Sequence, residues 1–410
     1  MSKKNYLVGI DVGTAEVRVG IGEPRPDGTV SLIGLGLSPS DGVRKGVIVD
    51  LEKTIESITA AVEEAERMAG FKIESAFVGL KGLNIELVTN RGVVAVTSED
   101  REIREEDLDR VIQAAKVVAL PMDREIVDII PREYIVDGFD GIRDPLGMLG
   151  VRLEVDAMIV TSLTTSLHNL LRCINRAGIN INGLVLQALA NAEVALTPDE
   201  RDLGVFLIDI GSGTTEIALF QHGKLQKLAV IPVGGDHITT DLAAGLRINH
   251  QTAEDLKKSH ASALQALAES EPKIEVKAVG SNELRLVSER ELTAFIEPRI
   301  QEIFQIAREE MIKMGWSQLP PAGLVLRGGV ASMKGIAQVA GDYFESDQIR
   351  LADFEVAGIQ SPTYSTVIGL LYYVHRHQPK MFINERSKPV KKRGPGLWQR
   401  IKDWMTDIVD

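Results

Sequence analysis

Two aspartates in near-identical surroundings are the residues of this chain best equipped for chemistry. In LVGIDVGTAEVRVGIG (7–22), Asp11 closes an apolar stretch and precedes a bend carrying Gly13, Thr14 and Ala15. About 200 residues later, FLIDIGSGTTEIALF (206–220) repeats the plan with Asp209, Gly211, Ser212, Gly213, Thr214 and Thr215. Glycine bends let a ligand approach the main chain, and successive N–H groups form a concavity suited to an anion. The hydroxyls of Thr14, Ser212, Thr214 and Thr215 add donors. A carboxylate beside a phosphate is repelled unless a divalent cation lies between them. Asp11 and Asp209 therefore point to a nucleotide carrying Mg²⁺, gripped from both sides, with the two carboxylates toward the metal. One such bend alone would read as an ordinary hairpin; the second, with its aspartate in register, argues for a site. The commoner phosphate loops, GxxxxGK[ST] and a strand–helix GxGxxG, are absent.

Three more segments suit the rest of a nucleotide. PVGGDHIT sets Gly234 and Gly235 where the backbone can approach a ribose or phosphate. AEDLKKSHAS sets Glu254 and Lys257 three apart on one helical face, either to hydrogen-bond ribose and base or to form a plain ion pair. LRGGVASM makes a tight turn from Gly328 and Gly329, with Met333 behind it, where a flat base could pass the main chain.

The elements that must position these groups follow from periodicity. Residues 5–37 alternate apolar and small or polar positions between glycine and Pro-Asp-Gly breaks, which predicts a strand meander. Residues 50–70 read as a helix with Asp50 as N-cap, Ile55, Ile58, Val62 and Ala65 on one face, and Gly70 as its stop. SAFVGL (75–80) is a buried strand. Residues 83–162 change texture: a hairpin over NIELVTNRGVVAVT, a charged helix over 101–121 ended by Pro121, and two further strands. The charge run at 99–110 is a solvated helix face. A helix at 164–179 and a strand running into a helix opened by Gln187 follow, then mainly helix over 250–315, a strand, double-glycine turn and helix start over 323–336, and a last core helix at 364–374.

Bulk properties set the frame. The chain has 410 residues, 44% hydrophobic and 25% charged, which predicts two or more soluble domains. No apolar run nears the roughly 20 residues of a membrane span, and the N-terminal lysines have no apolar core behind them, so no signal peptide is expected. A lone Cys173 permits no internal disulfide, and no Cys/His cluster has zinc spacing. The net charge of −12 argues against general nucleic-acid binding.

The five ligand segments, in this order, resemble the actin-like ATPase superfamily, with phosphate hairpins at 8–22 and 206–220, connecting helices at 187–197 and 364–374, and an adenosine motif at 324–336. PDGTVSLIGLG, VRKGVIVDLE, IIPREYIVDG, LTPDERDLGVFLIDIGSGTTEIALF, FIEPR and YSTVIGLLYY make the chain similar, over essentially its whole length, to the bacterial cell-division family FtsA. The resemblance implies an α/β actin-like fold: two similar mixed-sheet domains around a nucleotide cleft, an inserted α+β subdomain and a C-terminal amphipathic helix. Its divisions would be 1–82, 163–198 and 365–384 for subdomain 1A; 83–162 for 1C; 199–240 and 321–364 for 2A; and 241–320 for a helical 2B. ATP and Mg²⁺ are the implied cofactors. Implied partners are the C-terminal peptide of the tubulin-like FtsZ, other copies of the chain in a filament, anionic lipids and other division proteins, at the cytoplasmic side of the inner membrane. The FtsZ peptide would dock on 241–320, with Arg290 and Arg299 as basic candidates. The chain departs from the family's usual residues at Glu16, where a lysine is common, and at Ser212 within the second glycine bend. Gln187 stands where several superfamily relatives carry a glutamate. An amide can orient a water but is no base, so slow turnover is expected, with ATP chiefly an assembly ligand. Two other readings share the superfold. A small-molecule kinase would need a substrate pocket with an aspartate base, which no segment announces; a scaffold of pilus or secretion assembly would lack the basic, tryptophan-bearing end.

That end is distinctive. RSKPVKKRGPG (386–396) reads as a flexible basic linker spanning 385–396, before a helix at 397–410. On the helix Leu397, Ile401, Trp404, Met405 and Ile408 share one face, with Trp398 at its edge. The pattern fits a helix lying on a membrane surface, or one docked on the body. Each basic residue near an anionic leaflet adds about 1 kcal/mol, and a filament displaying many such helices would bind by avidity. Trp404→Glu puts a charge amid the apolar face and is expected to release the protein from anionic vesicles with ATP binding kept; cosedimentation equal to the parent's would mean a docked helix.

Overall fold

The alternation in the first 39 residues builds three strands, β1 (Leu7–Val12), β2 (Glu16–Pro24) and β3 (Val30–Pro39). The computed structural model describes residues 6–280, 284–353 and 362–377. Short β4 (Val43–Arg44) and β5 (Val47–Ile48) lead to α1 (Leu51–Ala69). Asp50 caps α1 by accepting from the Lys53 N–H, and Gly70, at φ +80°, ends it. After β6 (Ser75–Leu80) the chain leaves this unit for an insertion: β7 (Ile85–Ala95), α2 (Glu105–Ala115), β8 (Arg124–Val136), β9 (Phe139–Ile142) and β10 (Arg152–Leu163). It returns with α3 (Thr164–Arg176), β11 (Asn180–Leu186) and α4 (Gln187–Ala195).

The second half supplies α5 (Pro198–Leu203), β12 (Val205–Ile210), β13 (Thr215–Gln221), β14 (Lys224–Ile231), α6 (Gly235–Leu246) and α7 (His250–His260). The hairpin β15 (Ile274–Lys277) and β16 (Leu284–Val287) precedes the long α8 (Glu289–Lys313). Then come β17 (Leu324–Arg327), α9 (Ile336–Phe344), β18 (Ile349–Leu351) and α10 (Ser365–His377).

Two of the sheets are topological copies. The first runs β3-β2-β1-β6-β11 and the second β14-β13-β12-β17-β18. In both, a three-stranded antiparallel meander is extended by two parallel strands. The insertion is a separate antiparallel sheet, β7-β10-β8-β9. It has its own core, in which Val111 and Ala115 of α2 meet Ile129, Val155 and Ile159. Residues β12 turns to one face, such as Leu207, join the core of the first unit, while Phe206 and Ile208 pack under α6 and α8.

Several expectations are corrected. The stretch NIELVTNRGVVAVT is one continuous strand, β7, rather than a hairpin. Its Asn-Arg-Gly is not a turn: Asn90 donates to the Ala115 and Val117 carbonyls, and a Cβ on Gly92 would lie 2.2 Å from the Val111 carbonyl oxygen, so α2 rests on the bare glycine. The charged helix is shorter than 101–121; Arg101 has φ +59° and Glu102 bridges Leu149 before α2 begins. Within the mainly helical stretch 250–315 the hairpin β15–β16 lies between α7 and α8. A 3₁₀ turn, Val330–Ser332, separates the double glycine from α9. The basic linker 385–396 and the apolar helix 397–410 lie outside the described residues. Among the described residues no helix is long and apolar enough to cross a membrane.

The connecting helices α4 and α10 cross at Ala190 and Gly369, whose Cβ would lie 2.1 Å from the Ala190 carbonyl oxygen. Leu370 and Val374 pack beside Val185 at the crossing. At the far end of α10, Arg376 pairs with Glu193 of α4, and His377 approaches the same carboxylate at 3.4 Å. Helix propensity alone would favour alanine at 369 by about 1 kcal/mol. The close crossing is expected to reverse that sign: Gly369→Ala should cost about 1–3 kcal/mol through overpacking, seen as a lower denaturation midpoint, and a gain in stability would show that the helices part freely.

Candidate functional site

β1 and β12 deliver Asp11 and Asp209 to the mouths of two bends with one backbone plan. In the first the Gly13 N–H donates to the Glu16 carbonyl at 3.0 Å; in the second the Gly211 N–H donates to the Thr214 carbonyl, also at 3.0 Å. Across each hairpin the residue opposite the aspartate differs in charge: Arg18 faces Asp11 and Glu216 faces Asp209. The bends meet. A Cβ on Gly213 would lie 2.8 Å from the Thr14 hydroxyl oxygen, which accepts from the Gly46 N–H at 3.0 Å.

Both carboxylates are buried and held by side chains from several elements. Asp11 accepts from Gln187 Nε2 at 2.5 Å and from Arg18 Nη1 at 3.2 Å; Arg18 also reaches Glu16. Asp209 Oδ2 accepts from Lys81 Nζ and Asn191 Nδ2, each at 3.0 Å. Gly328, at φ +93°, passes so close that a Cβ would lie 2.5 Å from Asp209 Oδ1. Burial alone would raise the Asp209 pKa, but Lys81, Arg327 and Arg18 hold it at about 2. Burial likewise works against the Lys81 charge, yet Asp209 and Glu216 keep its pKa above the ordinary lysine value. Glu216 has less compensation. Burial, reinforced by Asp209, pushes it up to about 7 despite Lys81, and its Oε2 has no hydrogen-bond partner among the described residues.

The remaining ligand segments converge on the same place. A Cβ on Gly234 would lie 2.6 Å from the Gly211 and Ser212 carbonyl oxygens, and the Gly235 N–H donates to the Gly211 carbonyl at 2.9 Å. Ser212 Oγ bonds Asp236. Lys257 Nζ donates to the Gly235 carbonyl at 3.0 Å and to Thr239 and Glu254 at 2.7 and 2.6 Å. Glu254 and Lys257 therefore are an ion pair, and one bound to the glycine loop. A Cβ on Gly235 would also touch Val330, beyond the Gly328-Gly329 turn, at 3.0 Å. Ala15 and Gly329 are exposed, and Thr214 is buried at the bend. Two assigned residues are turned elsewhere. Met333 is packed in the core under α6 and α8, and Thr215 Oγ1 donates to the Val233 carbonyl at 2.8 Å.

No group of three or more His, Cys, Asp or Glu side chains among the described residues could hold a metal by itself. A divalent cation at Asp11 and Asp209 would draw most of its ligands from phosphate and water, as Mg²⁺ ordinarily does. The half-exposed main chain of Gly13, Thr14, Gly211 and Ser212 beside the two carboxylates suits the phosphates of such a ligand. Farther off, Arg299 donates to Asp241 at 2.7 and 3.1 Å and pairs with Glu302, while Arg290 reaches Ser270 at 3.4 Å.

The family model described as cell division protein FtsA matches residues 206–369, and that of the SHS2 domain inserted in FtsA matches 82–161. The cell division protein FtsA of Bacillus subtilis is 44% identical over 377 residues, covering 92% of this chain and 85% of the relative. That of Pseudomonas aeruginosa is 38% identical over 406 residues, covering 97% of each. The chain belongs to the FtsA family of cell-division proteins. Solved structures show the actin-like fold of this FtsA chain. The PilM-PilN type IV pilus biogenesis complex matches with TM-score 0.63 at 16% identity, covering 90% of this chain and 98% of the other. MreB5 of Spiroplasma citri bound to ADP matches with TM-score 0.54 at 17% identity, covering 90% and 96%. The SHS2 insertion of the FtsA family is the sheet β7-β10-β8-β9.

Sequence reasoning missed Lys81, Arg18, Asn191, Glu216 and Arg327. Signals existed for three. Arg18 and Glu216 fall opposite the aspartates once each hairpin is paired, and Asn191 lies one turn after Gln187 on a helix whose only other polar residue is Glu193. Nothing local to Lys81 announces a partner 128 residues away.

Glu216 gives a pH test. A carboxyl whose folded pKa lies above its unfolded value, about 7 against 4.5, supports folding below 4.5 and loses that support as pH rises through 7. Glu216→Gln is neutral throughout, so its melting temperature relative to the parent's is expected to be higher at pH 8 than at pH 5, by the equivalent of about 2 kcal/mol; an equal offset at both pH values would contradict the raised pKa.

Proposed function

We propose that this FtsA-family chain binds ATP with Mg²⁺ between its two glycine bends, assembles with copies of itself on the inner face of the cytoplasmic membrane, and ties the tubulin-like FtsZ ring to that membrane through the C-terminal amphipathic helix. The observation that carries the reading is the convergence of five separated segments on one cleft. Two bends meet with an aspartate each, and the Gly234-Gly235 loop, the Glu254–Lys257 pair and the Gly328-Gly329 turn gather beside the second.

Each residue then has a task. The N–H groups of Thr14, Ala15, Ser212, Gly213 and Thr214 bind phosphate oxygens, and Asp11 and Asp209 face the cation. Bound Mg²⁺ would offset carboxylate–phosphate repulsion and spread the charge of the phosphates. Arg18 and Lys81, which now neutralise the two aspartates, offer positive charge to the incoming anion. Gln187 orients a water without accepting its proton, so turnover is slow and the nucleotide acts mainly by favouring the closed, assembling form. The insertion takes part in contacts between copies, as a domain with its own core can.

For the FtsZ peptide the region 241–320 offers a groove of about 570 Å³ between α6 and α8, lined by Ala244, Gly245, Phe295, Pro298 and Arg299. Asp241 and Glu302 also line it and both hold Arg299, so a short acidic peptide on this apolar floor would have to displace two carboxylates to reach the guanidinium. Localisation at the membrane rests on the basic linker and the apolar face of 397–408.

Asp209→Ala is the direct test of the nucleotide reading. It is expected to weaken Mg²⁺-dependent binding of a fluorescent ATP at least tenfold, with the FtsA-type fold preserved by circular dichroism; unchanged affinity would rule out the two-bend clamp.

A further inference from the structure

We propose that a cavity beside the first glycine bend is a second anion site, which takes free inorganic phosphate separately from any nucleotide. The proposal goes beyond the nucleotide reading and does not rest on it. The cavity lies where the end of the first sheet, the β4–β5 turn, the start of α3 and the first residues of the insertion meet. Gly46 forms part of its wall, and the Gly46 N–H bonds Thr14, so that wall is shared with the first bend.

The polar part of the lining is built to donate. Ser162 is 2% exposed, and its hydroxyl has no hydrogen-bond partner among the described residues. Buried polar side chains are seldom left so, and this one lines a cavity. Ser166 Oγ accepts from Asn84 Nδ2 at 2.6 Å, which leaves the Ser166 proton to donate elsewhere. Lys81 brings an ammonium with three donors, of which the bond to Asp209 takes one. α3 begins at Thr164 with no side-chain cap, and its first-turn residues Ser166 and Leu167 line the cavity. The positive end of that helix therefore lies there as well. No Asp or Glu among the described residues lines it.

Size and charge select the occupant. The cavity measures about 50 Å³. At about 10–15 Å³ for each water-sized group it holds roughly three to five of them, which fits the oxygens of one orthophosphate. A metal cation is repelled by the ammonium. An uncharged molecule would leave the lysine and the helix end without a counter-charge. Phosphate oxygens accept from every side and carry the charge that both attract. Asn84 and Ser166 are only half-buried, so the cavity is reached from solvent on their side.

The test titrates the full chain with inorganic phosphate in a chloride buffer, by calorimetry. It is run with the cleft empty and with a non-hydrolysable ATP analogue and Mg²⁺ present. Saturable phosphate binding is expected in both. Asn84→Asp keeps the side-chain shape and can still accept from Ser166, but sets a carboxylate in the wall. Ser162→Val replaces the buried hydroxyl with a methyl group. Each is expected to weaken phosphate binding by about tenfold or more, as for a hydrogen bond lost to a charged group, with the affinity for a fluorescent ATP kept. No saturable binding by the parent overturns the proposal, and so does a phosphate affinity unchanged in either variant. Phosphate binding that vanishes once the analogue is present belongs to the glycine bends and overturns it too. If Ser162→Val does not fold, Asn84→Asp decides. A parent that binds no nucleotide fails the nucleotide reading alone, and the comparison of parent with variants still judges this site.

Discussion

A carboxylate that stays charged inside a protein has to be surrounded by donors, and Asp209 is such a carboxylate. Taking one partner from a buried ionic pair costs several kcal/mol, because the other charge is left uncompensated. The donors around Asp209 therefore constrain where their parent segments run. The donor Lys81 comes from the doorway into the insertion and the donor Asn191 from the helix between the two domains, while Arg327, on the adjacent strand of its own sheet, adds the pull of its charge. Meeting the needs of this one group ties together three segments that are otherwise far apart in the chain.

The two sheets share topology and bend geometry, yet their electrostatics are not symmetric. The first hairpin neutralises its aspartate internally with Arg18. In the second the same register position holds Glu216, so the second hairpin adds negative charge and takes Lys81 from the first domain. A duplicated scaffold thus yields two halves that are electrically incomplete apart. The attraction between them is built into the cleft itself, where a ligand would alter it.

Much of this was legible in the sequence because it is local. The meander, α1 with its Asp50 and Gly70 ends, the two glycine bends and their aspartates all follow from short-range pattern and steric rules. The misreadings arose where a distant neighbour overrode the local signal. Asn90 and Gly92 look like a turn, and only α2 lying across the strand makes them a flat landing surface. Met333, after the 3₁₀ turn that follows the double glycine, is buried among core residues of the second unit. The partners of Asp209 were hidden for the same reason: a salt bridge across 128 residues leaves no periodic trace.

Helix α10 ends against α4, with Arg376 and His377 on Glu193 and the Gly369 crossing behind them. Burial works against the Glu193 charge, but His377, Arg201 and Arg376 hold its carboxyl at about 2, so the joint is ionic over any ordinary pH range. The helix that grips Asp11 and Asp209 near its start is thus pinned at its far end by α10, so a shift of α10 and a change in the spacing of the two carboxylates act on one and the same helix.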